Sequence, residues 1–178
     1  MEHVDADELE NRIIPAAVMK SLTGPLGTTD LAINYYELEP GDSFAFAYHD
    51  HEVQEEVFFV FEGTATFETE TVDVEVGPRE ALRVDRGEFQ RGWNRGDERV
   101  FAVALGAPLD YGDMTKLRYC HTCETETHHE LERVGPEADV EDMDVGEHEG
   151  EEATIAVCSE CGTPTGHWTE GSTPGEVD

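Results

Sequence analysis

Between residues 31 and 107 the chain consists of short β-rich runs separated by turn signals, and this pattern restricts the fold more than any other feature of the sequence. The runs cover residues 31–38, 44–48, 57–61, 65–76, 81–84 and 100–105. Dipeptides typical of turns, such as Pro40-Gly41 and Gly77-Pro78, lie between them. Many short strands at close spacing predict an antiparallel sandwich or barrel. A parallel sheet would need crossover helices, and the sequence provides no segments of that kind.

Composition changes on both sides of this region. Residues 1–27 combine an acidic start with a short apolar segment, 13–18, which could form a helix or an edge strand. We therefore predict an N-terminal segment over 1–27, a β-barrel over 28–110 and a second small unit over 117–169. Within that unit, residues 135–152 contain nine carboxylates and no Lys or Arg, so we expect a solvated, mobile loop there. We also expect a frayed, disordered tail over 170–178.

The chain is strongly acidic, because 42 Asp and Glu against 11 Lys and Arg give a formal net charge of −31. Disorder would be one explanation, but a hydrophobic content of 38% and repeated aromatic runs favour a packed fold. Lys20 and Lys116 are the only two lysines. An acidic, lysine-poor surface is typical of a protein kept soluble in very high salt, where ions screen the self-repulsion. We therefore expect a halophilic protein.

The same charge limits the partners of the protein. Nucleic-acid binding needs a basic stripe that displaces phosphate counterions, and the sequence has none, so we expect no nucleic acid and no anionic membrane as a partner. A run of about 18 apolar residues is absent, and the first ten residues are acidic, without a basic segment leading into an apolar one. We expect a cytoplasmic protein.

Two histidines two positions apart, His49 and His51, begin a candidate metal site. They end a strand-like run, and side chains at i and i+2 of a strand project from the same face, so the two imidazoles converge. Glu56 follows after a short connection and can bring a carboxylate to the same point. Two imidazoles and one carboxylate suit a divalent first-row metal and leave coordination positions open.

The sequence around these residues resembles the first motif of the cupin family. That motif is a glycine, a short spacer, His-x-His, three or four residues, a glutamate, six residues and a second glycine, and here it runs from Gly41 to Gly63. Seven residues separate Gly41 from His49, where five are usual. The spacer after the histidines would also admit Glu55 as the ligand, but the six-residue gap to Gly63 favours Glu56.

The second cupin motif is matched more weakly. Gly87, Gln90 and Asn94 have its spacing. However, Asp85 stands in place of its first proline, and Gln90 stands in place of its metal-binding histidine. Because an amide oxygen is a weaker and neutral ligand, this replacement weakens the expected binding of a transition metal.

Together the motifs cover about residues 30–107. The resemblance implies an all-β fold, an antiparallel jelly-roll barrel of the cupin type, with the cysteine-containing unit attached at its C-terminal side. It implies a divalent metal, Fe, Mn, Ni or Zn, bound by His49, His51 and Glu56 with Gln90 as a weak fourth ligand. Cupins commonly pair through their sheets, so the resemblance also implies a homodimer.

The run before the histidines predicts the shape of the cavity. Ala45 and Ala47 share a face with His49, so small side chains would leave room for a small-molecule ligand if the histidines point into the barrel. The opposite face is aromatic and must be buried against a second sheet layer, a partner subunit or the appended unit. It consists of Phe44, Phe46 and Tyr48.

Six of the eleven basic residues are arginines between positions 79 and 99. Arginine forks suit carboxylate or phosphate groups, so this cluster could bind an anionic substrate. Arg83 and Arg91 flank the second motif and are the candidates. Pairing with surface carboxylates is the more common role of such residues.

All four cysteines lie in two Cys-x-x-Cys pairs, Cys120/Cys123 and Cys158/Cys161. In an intracellular protein such pairs indicate metal binding before disulfide formation. Four thiolates can close a tetrahedral zinc site and leave no position for substrate, so we expect a structural zinc. The unit resembles a zinc ribbon, although the 34 residues between the pairs exceed the usual gap.

Other roles of this unit stay open at the level of sequence. His128, His129 and His167 lie near the pairs and are possible alternative ligands. A redox role is less favoured, because neither pair precedes a helix in a βαβ unit. The acidity of the unit argues against nucleic acid and favours a structural role or the docking of a protein partner.

Two functions are compatible with these patterns. In the first, the protein is a metal-dependent enzyme of the cupin type acting on a small molecule, either a dioxygenase or an isomerase or lyase that uses the metal as a Lewis acid. In the second, the barrel is a non-catalytic ligand sensor or regulatory module, and the zinc ribbon docks a protein partner. The complete first motif favours the enzyme, and the amide at Gln90 favours the sensor.

Overall fold

The computed structural model describes residues 1–135 and 152–169. Residues 136–151, which hold most of the predicted acidic loop, and the predicted tail 170–178 lie outside the described residues. The fold of the described part is all-β, as predicted. Its helical elements are a 3-10 turn at Ala6–Glu8 and one turn of α-helix, α1, at Thr23–Leu26. No helix in the described ranges is long and apolar enough to cross a membrane.

Thirteen strands in the described residues form two antiparallel sheets. They are β1 (Val18–Ser21), β2 (Ala32–Leu38), β3 (Tyr48–His49), β4 (Glu55–Glu62), β5 (Ala65–Thr69), β6 (Val74–Val76), β7 (Ala81–Val84), β8 (Gln90–Trp93), β9 (Val100–Ala107), β10 (Lys116–Cys120), β11 (Thr125–Val134), β12 (Ala153–Cys158) and β13 (Pro164–Thr169). The first sheet has the order β1-β2-β9-β4-β7, and the second has the order β13-β12-β11-β10-β3-β8-β5-β6.

The core lies between the two sheets and is rich in aromatic rings. Phe58 of the first sheet and Phe67 of the second have ring centroids 4.7 Å apart. Phe44 contacts both rings and also Tyr36, at centroid distances between 5.0 and 5.5 Å. Such offset and edge-on contacts add to the stabilisation from burying the rings. They hold the two sheets together in the core.

Strand β9 shows how sequence alternation creates this core. Val100, Ala102 and Ala104 are buried, whereas Phe101 and Val103 point to the other side of the sheet and stay half-buried. Period-two alternation of this kind is expected for a strand with one face toward the core. The outward apolar side chains give the first sheet an apolar outer face.

Two glycines of the recognised motifs have conformations or neighbours that require glycine. Gly63 has φ +75°, and a Cβ there would lie 2.5 Å from the carbonyl oxygen of Arg99. Gly41 has φ +92° in the turn that leads toward the histidines. Since L side chains rarely adopt such φ values, the motif glycines serve the turns that position the strands.

The run 44–48 differs from its prediction as a strand. Residues 44–47 form bends, and only Tyr48–His49 is a strand. The Ser43 hydroxyl lies 2.8 Å from the carbonyl oxygen of Ala45 and 2.9 Å from that of Gly92, so it can donate to either. Local bonds of this type compete with a regular ladder. Of the three aromatic side chains, Phe44 is buried in the core, whereas Phe46 and Tyr48 stay half-buried. Phe46 packs on Trp168, and Tyr48 stacks on Phe89.

Two other predicted segments take a more specific form in the structure. Residues 65–76 form a hairpin of β5 and β6 rather than one long strand. The N-terminal apolar segment, which the sequence left as helix or edge strand, leads through bends into the edge strand β1, paired with β2.

The cysteine-containing strands continue the second sheet. β10 pairs with β3, with Lys116 opposite His49 and Leu117 opposite Tyr48. From β10 the sheet runs through β11 and β12 to β13. Arg118 of β10 fastens this extension to the bends at 44–47, because its guanidinium donates to the carbonyl oxygens of Phe46 and Thr165. One continuous sheet therefore carries both the histidines and the cysteines.

Candidate functional site

The three predicted ligands of the barrel converge in the structure. His49 ends β3, His51 lies two residues beyond it, and Glu56 lies near the start of β4 in the other sheet. One ligand atom from each residue lies within 4.8 Å of the others. His51 Nε2 and the Glu56 carboxylate are 3.4 Å apart. This spacing fits three ligands around one cation.

His49 is oriented by the backbone beneath it. Its Nδ1 lies 3.0 Å from the carbonyl oxygen of Ala47, which accepts the Nδ1 proton and leaves Nε2 with a lone pair toward the site. A hydrogen bond of this kind fixes the tautomer of metal-binding histidines. Burial lowers the pKa of His49 below its ordinary value, and the nearby Glu56 carboxylate opposes this shift. The neutral form, which binds metals, is therefore favoured.

Gln90 lies directly opposite His49 in the β3–β8 pair. Its amide nitrogen is 3.4 Å from His49 Nε2 and 3.3 Å from the Glu56 carboxylate. Its amide oxygen is buried and has no hydrogen-bond partner. Rotation of the amide by half a turn would direct this oxygen at the same point as the other three groups. The donor set therefore fits a divalent cation with Gln90 as a fourth, neutral ligand.

The two candidate glutamates have different surroundings. Glu55 points away from the histidines and pairs with Arg83 at 2.9 Å. Glu56 faces inward beside His51. Alternation along β4 places these neighbours on opposite faces, so only Glu56 reaches the histidines.

The histidines open onto a cavity of about 470 Å³. Ala45 and Ala47 line its wall, as the sequence predicts, but Phe44 and Phe46 line it too, because residues 44–47 form bends and do not alternate between two faces. Polar groups on the wall include Asn34, Gln54 and the buried hydroxyl of Tyr36. Burial, aided by the negative charge of Glu56, raises the pKa of Tyr36, so its hydroxyl stays protonated and can act as a donor. The volume suits a small molecule.

Two cavity residues come from the cysteine-containing strands and were not predicted. Lys116 of β10 and Leu131 of β11 complete the wall next to His49. Lys116 is one of two lysines in the chain, which is a weak signal, but nothing in local sequence places it beside a histidine 67 positions away. The pairing of β10 with β3 creates this proximity.

Neither predicted substrate-binding arginine lines this cavity. Arg83 is 55% exposed and pairs with Glu55 and Asp85. The Arg91 guanidinium stacks over the Trp93 ring at 3.8 Å, and its Nε donates to the Ser43 hydroxyl. The structure thus gives Arg83 the surface pairing that the sequence left as the alternative, because strand alternation directs its side chain outward.

The four cysteines form a second donor set at the far end of the sheet. One sulfur of each residue lies within 4.8 Å of the others, and all four are free thiols. The Cys120 and Cys161 sulfurs are 3.6 Å apart, and those of Cys123 and Cys158 are 4.0 Å apart. Sulfurs at these distances suit tetrahedral coordination of one cation.

Hydrogen bonds among the cysteines and their neighbours shift the pKa values of Cys158 and Cys123 in opposite directions. Burial tends to raise the pKa of Cys158, but hydrogen bonds, first that from Thr127, outweigh it and lower the pKa to about 6. The hydrogen bond with Cys161 is the largest cause that raises the pKa of Cys123, to about 12. A bound cation would allow all four sulfurs to be thiolates.

None of the three neighbouring histidines belongs to the sulfur donor group, although His129 lies opposite Cys158 in the β11–β12 pair. His129 is 1% exposed, and its Nδ1 is 2.9 Å from the carbonyl oxygen of Thr127. His128 is exposed, and His167 lies opposite Ile155 in β13. Among the described residues, the donor group at this end of the sheet consists of the four cysteines alone.

Comparison with known proteins agrees with this geometry. Residues 34–106 match the family model described as a cupin domain. This part of the chain is similar to a cupin domain. It contains His49, His51, Glu56 and Gln90, whereas Lys116, Leu131 and the cysteines lie beyond its end. No curated protein matches the chain significantly.

Solved structures share the fold at low sequence identity. A sugar phosphate isomerase of the cupin superfamily from Silicibacter pomeroyi is 20% identical over 71% of this chain and 90% of its own, with a TM-score of 0.55. The polyketide cyclase RemF from Streptomyces resistomycificus is 23% identical over 68% of this chain and 88% of its own, also with a TM-score of 0.55. A predicted oxalate decarboxylase from Thermotoga maritima is 21% identical over 60% of this chain and 99% of its own, with a TM-score of 0.52. At these identities the likeness concerns the fold alone.

The part of the chain that matches the cupin model does not hold the whole cavity. Its wall is completed by strands that follow the matched region, through the β3–β10 pair. The cavity lies between the two sheets, and the cysteine cluster lies on the sheet that carries His49, Gln90 and Lys116.

Proposed function

We propose that the cupin domain binds a divalent transition metal through His49, His51 and Glu56, with Gln90 as a weak fourth ligand, and that it is a metal-dependent enzyme acting on a small molecule. The observation that carries the proposal is the convergence of the three ligand atoms within 4.8 Å at the wall of a cavity. Fe, Mn, Ni and Zn all accept this donor set.

The residues of the chain have definable roles in such an enzyme. Ala47 holds His49 in the metal-binding tautomer, and Ala45 keeps the space in front of it open. The protonated hydroxyl of Tyr36 offers a donor to a bound oxygen. When bound, the metal would supply Lewis-acid catalysis or, as iron, dioxygen chemistry, which corresponds to an isomerase or lyase in the first case and a dioxygenase in the second.

We further propose that the four cysteines bind a structural zinc in a zinc-ribbon-like unit. Four sulfurs close the coordination sphere, so a zinc there has no position for a substrate. Its expected effect is to hold β10 and β12 together at the sheet end that completes the cavity wall.

A non-catalytic ligand sensor is the second candidate function, and Gln90 favours it. A neutral amide in place of an imidazole weakens the binding of a transition metal and thus the catalytic power available from it. In this alternative the cavity would still bind a small molecule, and the cysteine-containing unit would dock a protein partner.

Metal analysis of variants tests the proposal. The protein would be purified in high salt and its metals measured by mass spectrometry, in the wild type, in the double variant His49→Ala/His51→Ala and in Cys120→Ser. We expect two metals per chain, one lost only with the histidines and one lost with the cysteine. A single zinc that survives the histidine changes would contradict a barrel metal.

Turnover separates the enzyme from the sensor. A panel of oxygenated small molecules and sugar phosphates would be incubated with metal-loaded wild type and with the histidine double variant. Product formation by the wild type alone supports the enzyme. Binding of a panel member without turnover, measured by calorimetry, supports the sensor.

A further inference from the structure

Lys116 places a cationic group in the wall of the metal cavity. It lies opposite His49 in the β3–β10 pair, and residues directly opposite in such a pair have side chains on the same face. Its side chain is 18% exposed and lines the cavity together with His49, His51 and Glu56. The four-carbon stem gives the ammonium a wide reach within this space.

The contacts of the Lys116 ammonium leave donor capacity for a ligand. Its two polar contacts are the carbonyl oxygen of Met114 at 3.5 Å and the carboxylate of Glu130 at 3.6 Å. Both distances exceed the usual hydrogen-bond length, and an ammonium has three donors. Glu130 is 72% exposed, so water screens this pair. The other lysine differs, since Lys20 donates to the Leu9 carbonyl oxygen at 2.6 Å.

The charge balance of the cavity favours an anion. Among the described residues that line it, Glu56 is the only acidic one and Lys116 the only basic one apart from the histidines. A divalent cation at the ligand set would neutralise Glu56 and leave the cavity positive. A local positive charge in a chain with a net charge of −31 marks a place where an anionic group can bind despite the general repulsion.

We propose that the ligand of this cavity carries an acidic oxygen group, a carboxylate or a phosphate, and that Lys116 binds this group beside the metal. This inference rests on the proposed function, because the metal defines where the rest of the ligand lies. Lys116 is the specificity-determining residue in this arrangement. Ser21 and Asn34, paired in β1 and β2 of the other sheet, add polar groups on a different wall of the cavity for the remainder of the ligand.

Calorimetric binding of small probes tests the inference at constant chloride concentration. The probes are glycolate, its neutral analogue glycolamide, and inorganic phosphate, with manganese-loaded wild type, Lys116→Met, Lys116→Arg, Glu130→Gln and Lys20→Met. We expect glycolate or phosphate to bind the wild type at least about tenfold more tightly than Lys116→Met, as for the loss of a charged hydrogen bond. Lys116→Arg should restore most of the affinity, and Glu130→Gln should keep or improve it.

The probes and variants distinguish the outcomes. Tighter binding of glycolate indicates a carboxylate ligand, and tighter binding of phosphate indicates a phosphate ligand. Equal binding of glycolate and glycolamide without tighter binding of phosphate would overturn the inference. Equal binding of the anions by wild type and Lys116→Met, or an equal loss in Lys20→Met, would overturn it as well. If metal analysis finds no barrel metal while anion binding still depends on Lys116, the proposed function fails and the role of Lys116 stands.

Discussion

The barrel site and the cysteine cluster are two donor sets, connected by the second sheet, that differ in the number of ligands and in their access. The barrel site has three strong ligands and opens onto a cavity of about 470 Å³. The cysteine cluster has four sulfurs, enough to close a tetrahedron. An open coordination sphere admits a substrate, whereas a closed one holds strands together. In the proposed function, the first set would therefore serve chemistry and the second would serve architecture.

The two sets are mechanically connected through β10. This strand begins with Lys116, opposite His49, and ends with Cys120. Between them, Arg118 bonds the bends at 44–47, which include the Ala47 carbonyl that orients His49. A metal bound by the four cysteines is therefore expected to stiffen the cavity wall beside His49.

The largest effect is expected for Cys120→Ser. Loss of one sulfur should release the metal and destabilise β10–β13, with a cost of several kcal/mol in the free energy of unfolding, since metal binding and folding are coupled in small metal-stabilised units. Denaturant unfolding and metal analysis measure this. Ser159→Ala, on the turn between Cys158 and Cys161, is the control and should behave as wild type. An unchanged unfolding midpoint in Cys120→Ser would contradict an architectural role.

The next effect concerns Gln90. Gln90→His should raise the affinity of the barrel for zinc or nickel by about tenfold or more, because an imidazole is a stronger ligand than an amide and the position lies opposite His49. Gln90→Ala should lower it. Competition with a chelator gives both affinities, and the cysteine site should be unaffected in either variant. If neither substitution moves the barrel affinity, Gln90 is not a ligand.

A smaller effect is expected from pH at His129. Burial lowers the pKa of His129 in the folded protein, so unfolding lets it bind a proton near its ordinary pKa of about 6.5. Its contribution to stability is therefore complete above this pH and decreases as the pH falls below it, by at most about 1.4 kcal/mol per pH unit. Urea midpoints at pH 7.5 and 5.5 should differ less in His129→Gln than in wild type.

The exposed His121 provides the matched control for this experiment. His121→Gln should keep the pH dependence of the wild type. Metal content would be measured at both pH values, so that a loss of metal is recognised. Identical pH dependence in wild type and His129→Gln would contradict the linkage.

The smallest effect on stability is expected at the outer face of the first sheet. Phe59 lies there, paired with Val103, next to the 44% exposed Phe61. We propose that a homodimer forms through this face of the barrel and not through the acidic cysteine-containing strands. Phe59→Asp should weaken dimerisation by about thirtyfold or more, the scale of an interface hot spot, as measured by light scattering across concentrations. Tyr119→Asp, an exposed aromatic of β10, should leave the oligomeric state unchanged.

Local sequence patterns predicted the antiparallel β-rich region and the convergence of His49, His51 and Glu56 that the structure shows. Period-two alternation and turn signals identify strands such as β7, and the spacing of His49, His51 and Glu56 follows from positions within or next to two strands. The same reasoning could not predict that Ser43 bonds the backbone and breaks the strand before His49. Competition between side-chain and backbone bonds depends on neighbours that the fold supplies.

Contacts between distant segments were the second limit. The cavity contains Lys116 and Leu131 because β10 pairs with β3, and that pairing spans two residues of each strand. A strand pair this short leaves no alternation of apolar and polar residues in the sequence from which the pairing could be predicted. The position of Arg83 depended on which strand face turns inward, a choice set by register rather than composition. Halophily, the cytoplasmic location and the division of the chain into domains stay predictions.

The β3–β10 pair also determines how far the barrel can be separated from the rest of the chain. A chain shortened to end at Pro108 would retain every residue of the cupin match, yet β3 would lose one of its two neighbours. Its free backbone groups would form an exposed edge, which invites pairing with other molecules. The segment needed to keep the cavity wall intact is thus longer than the segment that matches the cupin model. Transplanting the cavity into another scaffold would require carrying residues up to 169 along with it.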